Sequence, residues 1–144
     1  MVEMDATRGP EGVDGALAGV VGGVVPGNDW RTLDVPALGG WRPTLRVSVV
    51  LPCYQGQEAL DLTFAGLAAQ TYPLDLLEVV VADDGSNPPI TVPPGAPFEA
   101  RVVAQVHDGF GLARARNMGA ASATGEVLIF LDCDMVPEPE LVEA

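Results

Sequence analysis

The sequence predicts an α/β domain: a mostly parallel sheet with flanking helices. Three observations predict it. Four short segments, 45–51, 77–82, 101–106 and 126–131, are apolar and rich in β-branched residues, as strands covered on both faces are. Two segments of helical period, 57–70 and about 112–123, alternate with them. Three strands run straight into polar or aromatic clusters, at Pro52-Cys53-Tyr54, Asp83-Asp84-Gly85-Ser86 and Asp132-Cys133-Asp134. Right-handed crossovers between parallel strands carry all the carboxyl ends to one rim, where open α/β sheets bind ligands.

The elements follow in order. Residues 1–44 are rich in Gly, Pro, Asp and Ala without a sustained period, and read as a largely disordered leader. Trp30, Leu33, Val35, Leu38 and Trp41 would let its last part lie across the domain that begins at residue 45. The first strand, 45–51, ends at Pro52. The helix over 57–70 sets Leu60, Phe64, Leu67 and Ala68 on one stripe, and Thr71-Tyr72-Pro73 stops it. The strand over 77–82 closes on Asp83. Residues 87–97 carry five prolines and must be loop. After the third strand, Gly109-Phe110-Gly111 opens the second helix, whose first turn is a natural seat for an anion. Leu128 to Leu131 then reads as a strand buried on both faces.

Composition narrows the function. The net charge is −13 and every cation is an arginine, which argues against nucleic acid and against anionic lipid as partners. No apolar run is long enough to span a membrane, and the Gly-rich run 16–25 lacks the basic flank of a signal peptide. Cys53 and Cys133 are too few for a disulfide framework, so the expected setting is the reduced cytoplasm. Its inner membrane face would be reached only through a partner or a further segment.

The strand-end clusters suggest chemistry. In extended chain Asp132 and Asp134 would project to one side about 7 Å apart, and two such carboxylates want a cation. Hard ions such as Mg²⁺ or Mn²⁺ take carboxylate oxygens and share the rest of their shell with water and phosphate. Tyr54 offers a face for stacking, or covers the core edge. Asp83-Asp84 can accept from a base N–H and a ribose hydroxyl, or simply shape a turn. Of Arg114 and Arg116, which point in different directions on a helix, Arg116 is expected inward with Asn117. Cys53 reads as a small filler, and His107 as a loop or packing residue.

In order and spacing, five stretches resemble the family 2 nucleotide-sugar glycosyltransferases, which have the GT-A fold. They are Val47-Ser48-Val49-Val50-Leu51-Pro52-Cys53-Tyr54, Gln70-Thr71-Tyr72-Pro73, Glu78 through Ser86, Ala115-Arg116-Asn117-Met118-Gly119, and Gly125 through Asp134. Asp132-Cys133-Asp134-Met135 is also similar to the form found in some polysaccharide-chain polymerases. The resemblance covers about residues 45–144 and implies a Rossmann-like, donor-binding half of such an enzyme. Its implied activity is metal-dependent transfer of a sugar, with inversion, from a nucleoside diphosphate (uridine favoured) to a hydroxyl acceptor. It implies that Tyr54, beside Pro52, stacks on the base, and that Asp84 accepts from the base ring N–H. Asp83 would support the nucleoside side, and Arg116 would lie beside the nucleotide or sugar. Asp132 would reach the ribose or sugar and share with Asp134 a Mn²⁺ or Mg²⁺ ion on the diphosphate. The sequence departs from the family pattern at Cys53 and at Gln55, where Asn is usual. The family's acceptor site and catalytic base would lie beyond residue 144, so the chain alone is expected to be incomplete and inactive. Two rivals are a haloacid-dehalogenase-like phosphotransferase with Asp132 as nucleophile, and a non-catalytic nucleotide-binding fragment.

Overall fold

A computed structural model describes residues 42–144. The expected leader, with Trp30, Leu33, Val35, Leu38 and Trp41, lies outside the described residues save for its last three. The described elements are β1 (Val47–Cys53), α1 (Gln57–Ala68), a 3₁₀ turn (Leu74–Leu76), β2 (Leu77–Asp83), β3 (Glu99–Ala104), α2 (Leu112–Ser122) and β4 (Val127–Phe130). The four strands form one parallel sheet in the order β3-β2-β1-β4. The fold is the expected Rossmann-like α/β arrangement, and every strand delivers its carboxyl end to the same rim.

The two central strands, β1 and β2, are buried along their whole length. On one face Val47, Val49, Leu51, Leu77, Val79 and Val81 pack against Leu60, Phe64 and Leu67 of α1. Tyr72, Ile90, Phe98 and Val142 complete this core, and the Tyr72 hydroxyl donates to the Leu45 carbonyl at 2.7 Å. Ala68 is exposed, and Thr63 and Gly66 are buried in its place. On the other face α2 buries Ala115 and Gly119, and Gly119 lies against Val50 and Ala82.

That face also holds a buried carboxylate. Glu78 accepts from the Ser48 hydroxyl, the Thr124 N–H (2.9 Å) and the Thr124 hydroxyl (2.8 Å), and pairs with Arg101 at 2.7 Å. Burial alone would raise its pKa, but these bonds outweigh it and bring the carboxyl down to about 2. Arg101 also donates to the Ser122 carbonyl at the end of α2.

Two strand boundaries differ from those expected. β1 continues through Pro52 to Cys53. The Val50 carbonyl accepts from Leu131 of the β4 side and the Cys53 carbonyl from Asp84 of the β2 side. Alternation therefore turns position 52 toward β4, which has already ended, and proline's missing N–H costs no ladder bond. β3 runs two residues earlier than expected, because Gln105 makes the last bond to β2 through the Asp83 carbonyl and the chain then leaves the sheet. Val106, read as strand from its β-branching, is 84% exposed in the loop beyond.

β4 corrects the expectation of a strand buried on both faces. Ile129 and Leu131 pack toward the core under α1, whereas Val127, Leu128 and Phe130 are exposed. The register places Leu128 and Phe130 on the α2 face, beside Ser48 and Val50. α2 lies over β1, β2 and β3 and leaves that part of the edge strand uncovered. No helix follows β4 among the described residues. The final residues form turns against the end of α1, held by Gln70, whose amide donates to the Glu138 carbonyl and accepts from Val142 N–H. No described helix is long and apolar enough to cross a membrane.

Candidate nucleotide-binding cleft

The rim carries two adjoining concavities. The first, about 450 Å³, is lined by Pro52, Cys53, Tyr54, Asp84, His107, Gly109, Phe110, Leu112 and Ala115. The second, about 360 Å³, contains Asp132 and Asp134 and shares Pro52, Tyr54 and Leu112 with the first. Tyr54 and Asp134 thus border one cleft, as the strand-end argument required.

Tyr54 reaches the rim because the chain turns sharply after β1. Gln55 sits in the left-handed region at φ 55, its N–H donating to the Ser86 hydroxyl at 2.8 Å. That conformation is uncommon for a side chain other than Gly, Asn or Asp. The Tyr54 ring is half exposed and stacks on His107, with centroids 4.3 Å apart and planes 10° from parallel.

The two acids after β2 do different work. Asp83 is buried behind the cleft wall, where its carboxylate accepts from the Ser86 N–H at 2.9 Å and the Ile90 N–H at 3.4 Å. It borders neither concavity and instead shapes the turn that presents Asp84. Gly85 in that turn has φ 77 and lies so close to the backbone of 105–107 that a Cβ there would meet the Gln105 carbonyl at 2.9 Å. Asp84 faces the cleft. The Gln105 amide holds its carboxyl below the usual range, against burial, with help from His107 and the Gly111 N–H.

Asp132 and Asp134 do not continue the strand, which ends at Phe130. They stand on a turn closed by Met135 N–H to the Asp132 carbonyl at 3.1 Å. The buried Thr63 hydroxyl of α1 anchors that turn through the Cys133 carbonyl at 2.8 Å. Arg116 pairs with Asp132 at 2.6 Å, so it points inward as expected. Asn117 does not accompany it and is exposed. Arg114 turns away and donates to the Val106 carbonyl at 2.8 Å.

Among the described residues no three His, Cys, Asp or Glu side chains converge on one point. A Mg²⁺ or Mn²⁺ ion held by one or two carboxylates plus phosphate and water needs no such cage. Asp134, which pairs with no cation among the described residues, and Asp132, already balanced by Arg116, fit that mode. Beneath them the Cys53 and Cys133 thiols meet under Gly56. Their mutual hydrogen bond and burial push the Cys53 thiol up, which suits the filler role read from the sequence.

Sequence reasoning missed Gln105, Leu112 and Phe110, and undervalued His107. Phe110 is 93% exposed at the mouth of the first concavity. Its flanking glycines were a legible signal. The two residues that approach Asp84 from beyond β3 were not.

The stretch that forms the cleft is similar to known proteins. The family model described as glycosyl transferase family 2 matches residues 48–144. Validoxylamine A glucosyltransferase of Streptomyces hygroscopicus subsp. jinggangensis is 39% identical over 102 residues, which are 68% of this chain and 24% of that protein. Chondroitin synthase of Pasteurella multocida is 35% identical over 97 residues, covering 64% and 10%. The chain therefore spans a quarter or less of the length of these relatives. Among solved structures, the mannosyltransferase PcManGT of Pyrobaculum calidifontis, in complex with GDP-Man and Mn²⁺, aligns with a TM-score of 0.60 at 27% identity, over 76% of this chain and 33% of that one. Residues 1–349 of S. aureus TarS, in complex with UDP-GlcNAc, align with a TM-score of 0.58 at 25% identity, over 67% and 29%.

Proposed function

The chain belongs to glycosyl transferase family 2, and from that premise we propose that residues 45–144 form the donor-binding part of a metal-dependent enzyme. The reaction is transfer of a sugar from a nucleoside diphosphate to a hydroxyl acceptor with inversion at the anomeric carbon. The observation that carries this reading is the joined cleft, an aromatic and acceptor-lined concavity opening into one that bears two carboxylates. A nucleoside diphosphate has the same order of parts: a flat base, a ribose, then a charged diphosphate that needs a cation. Uridine is the favoured base, in keeping with the UDP-GlcNAc complex of the S. aureus neighbour.

In this reading Tyr54, set by Pro52, stacks on the base, and Asp84 serves its ring N–H as acceptor. Asp83 supports the nucleoside side by holding the turn under Asp84. Arg116 orients Asp132 toward the hydroxyls of the ribose or sugar, and Asp134 is the principal ligand of Mn²⁺ or Mg²⁺. When bound, the ion supplies Lewis-acid stabilisation to the departing diphosphate. The acceptor hydroxyl needs a base within hydrogen-bond reach. Every carboxylate in the cleft is engaged on the donor side, so this part alone binds donor without sustained turnover. The Cys53 and Cys133 thiols, in contact yet reduced, suit a cytoplasmic setting.

Calorimetry tests the proposal. UDP should bind the chain in Mn²⁺ and weaken in a chelator, which removes the cation that balances the diphosphate against the acidic rim. The Asp134→Ala variant should bind weakly and alike in both. Equal affinity of the unsubstituted chain with and without metal would refute the assignment.

A further inference from the structure

The chain holds two cysteines, far apart in sequence, and the fold sets them side by side. Cys53 is the last residue of β1, and Cys133 lies on the turn between Asp132 and Asp134. Both sulfurs border one point: a Cβ added at Gly56 would meet Cys53 Sγ at 3.3 Å and Cys133 Sγ at 3.4 Å. The two thiols are hydrogen-bonded to each other. Their access differs. Cys53 is 3% exposed at the wall of the first concavity, whereas Cys133 is half-buried and borders the second. Their anchoring differs too. Cys53 is fixed in an inner strand, in register with Asp83, and its carbonyl accepts from the Asp84 N–H at 2.9 Å. The turn carrying Cys133 belongs to no strand. It is held by its own 3.1 Å bond, by the Thr63 hydroxyl and by the Arg116 pair. A bond between the sulfurs would draw the turn toward the sheet, and Asp132 and Asp134 would move with it.

We propose that Cys53 and Cys133 are an oxidative modification site: a hydroperoxide joins them in a disulfide that shifts the Asp132–Asp134 turn and weakens metal-dependent binding. The bond itself goes beyond the donor-site reading, and its effect on binding rests on that reading. Cys133 Sγ, the accessible sulfur, attacks one peroxide oxygen. The O–O bond breaks, and the departing oxygen takes the thiol proton and leaves as water, so Cys133 becomes a sulfenic acid. Cys53 Sγ then attacks the Cys133 sulfur. The S–O bond breaks, and the hydroxyl takes the Cys53 proton and leaves as a second water. Two thiols give up two electrons, and the peroxide is reduced to two waters. A disulfide holds its sulfurs about 2.0 Å apart, inside noncovalent contact, so closing it moves the looser partner. Metal–ligand distances hold to within about 0.2 Å, and a displaced carboxylate pair binds the ion less well.

The test treats the full chain with hydrogen peroxide, removes the peroxide, and follows thiol content, peptide masses and UDP binding by calorimetry. Peptide mapping should find Cys53 joined to Cys133 within one chain, with both free thiols lost. UDP binding in Mn²⁺ should weaken about tenfold, the scale of misorienting a metal ligand, and dithiothreitol should restore it. In a chelator the oxidised and reduced chains should bind alike. Cys133→Ala leaves Cys53 buried without a partner, so its binding in Mn²⁺ should be the same before and after peroxide. Thiols that take up oxygen, or that bond between chains, in place of the intrachain disulfide overturn the proposal and leave the donor site standing. So does an intrachain disulfide that leaves binding in Mn²⁺ intact, or one whose effect is as large in the chelator. A Cys133→Ala chain that loses affinity on oxidation as the unsubstituted chain does also overturns it, because another group would be the target. A reduced chain that binds UDP equally with and without Mn²⁺ overturns the donor-site reading, and the effect claimed for the disulfide falls with it.

Discussion

Gly111→Ala tests how tightly the cleft is built around Asp84. Gly111 precedes α2 with an ordinary backbone conformation, so alanine adds no φ strain there. The added Cβ has nowhere to go. It would lie 2.6 Å from Asp84 Oδ2, 2.8 Å from Cγ, and in hard contact with Oδ1. The carboxylate cannot swing aside freely, since Gln105 and His107 hold it. Overpacking of this kind costs about 1–3 kcal/mol, and moving Asp84 off the Gly111 N–H forfeits roughly another 1 kcal/mol. The expected loss is thus about 2–4 kcal/mol by urea denaturation. A double-mutant cycle with Asp84→Ala isolates the cause. With the carboxylate gone, Gly111→Ala should cost less than about 1 kcal/mol, the scale of an alanine at a helix N-cap. An unchanged cost in the Asp84→Ala background would refute the reasoning and place the strain elsewhere.

Two further outcomes follow from the packing. Gln55→Asn should raise stability by about 0.5 kcal/mol, because Asn tolerates the left-handed conformation at φ 55 better than Gln; a lowered melting temperature would count against the strain. Glu78 is held down to about 2 against an ordinary 4.5, so its stabilisation is complete above pH 4.5 and is lost as pH falls toward 2. The difference is worth about 3 kcal/mol. Glu78→Gln should lower stability at neutral pH and flatten that acid limb, and parallel acid-denaturation curves for the two chains would contradict it.

Much of this molecule was legible in the chain. Valine-rich, mostly apolar runs at 47–51 and 77–82 specify buried parallel strands, and the two polar residues in them, Ser48 and Glu78, are buried because they bond each other. Parallel order then places Tyr54, Asp84, Asp132 and Asp134 on one rim through chirality alone. The Gly85 turn was readable from local chemistry, because a tight turn at positive φ favours glycine, whereas the partner that draws Arg116 inward, Asp132, comes from beyond the last strand. What only tertiary structure decided involves residues far apart in sequence. β4 was read as buried because its sequence is apolar, yet apolarity does not say whether a helix covers it, and α2 stops over β1. Asp83 and Asp84 are chemically identical in sequence; the hydrogen bonds to Ser86 and Ile90 bury one, and the arrival of Gln105 and Gly111 points the other into the cleft. His107 looked like a loop residue because its partners, Tyr54 and Asp84, come from the ends of two other strands. A side chain's hydrogen-bond partners fix its tautomer and orientation, and for His107 those partners are brought to it only by the folded sheet.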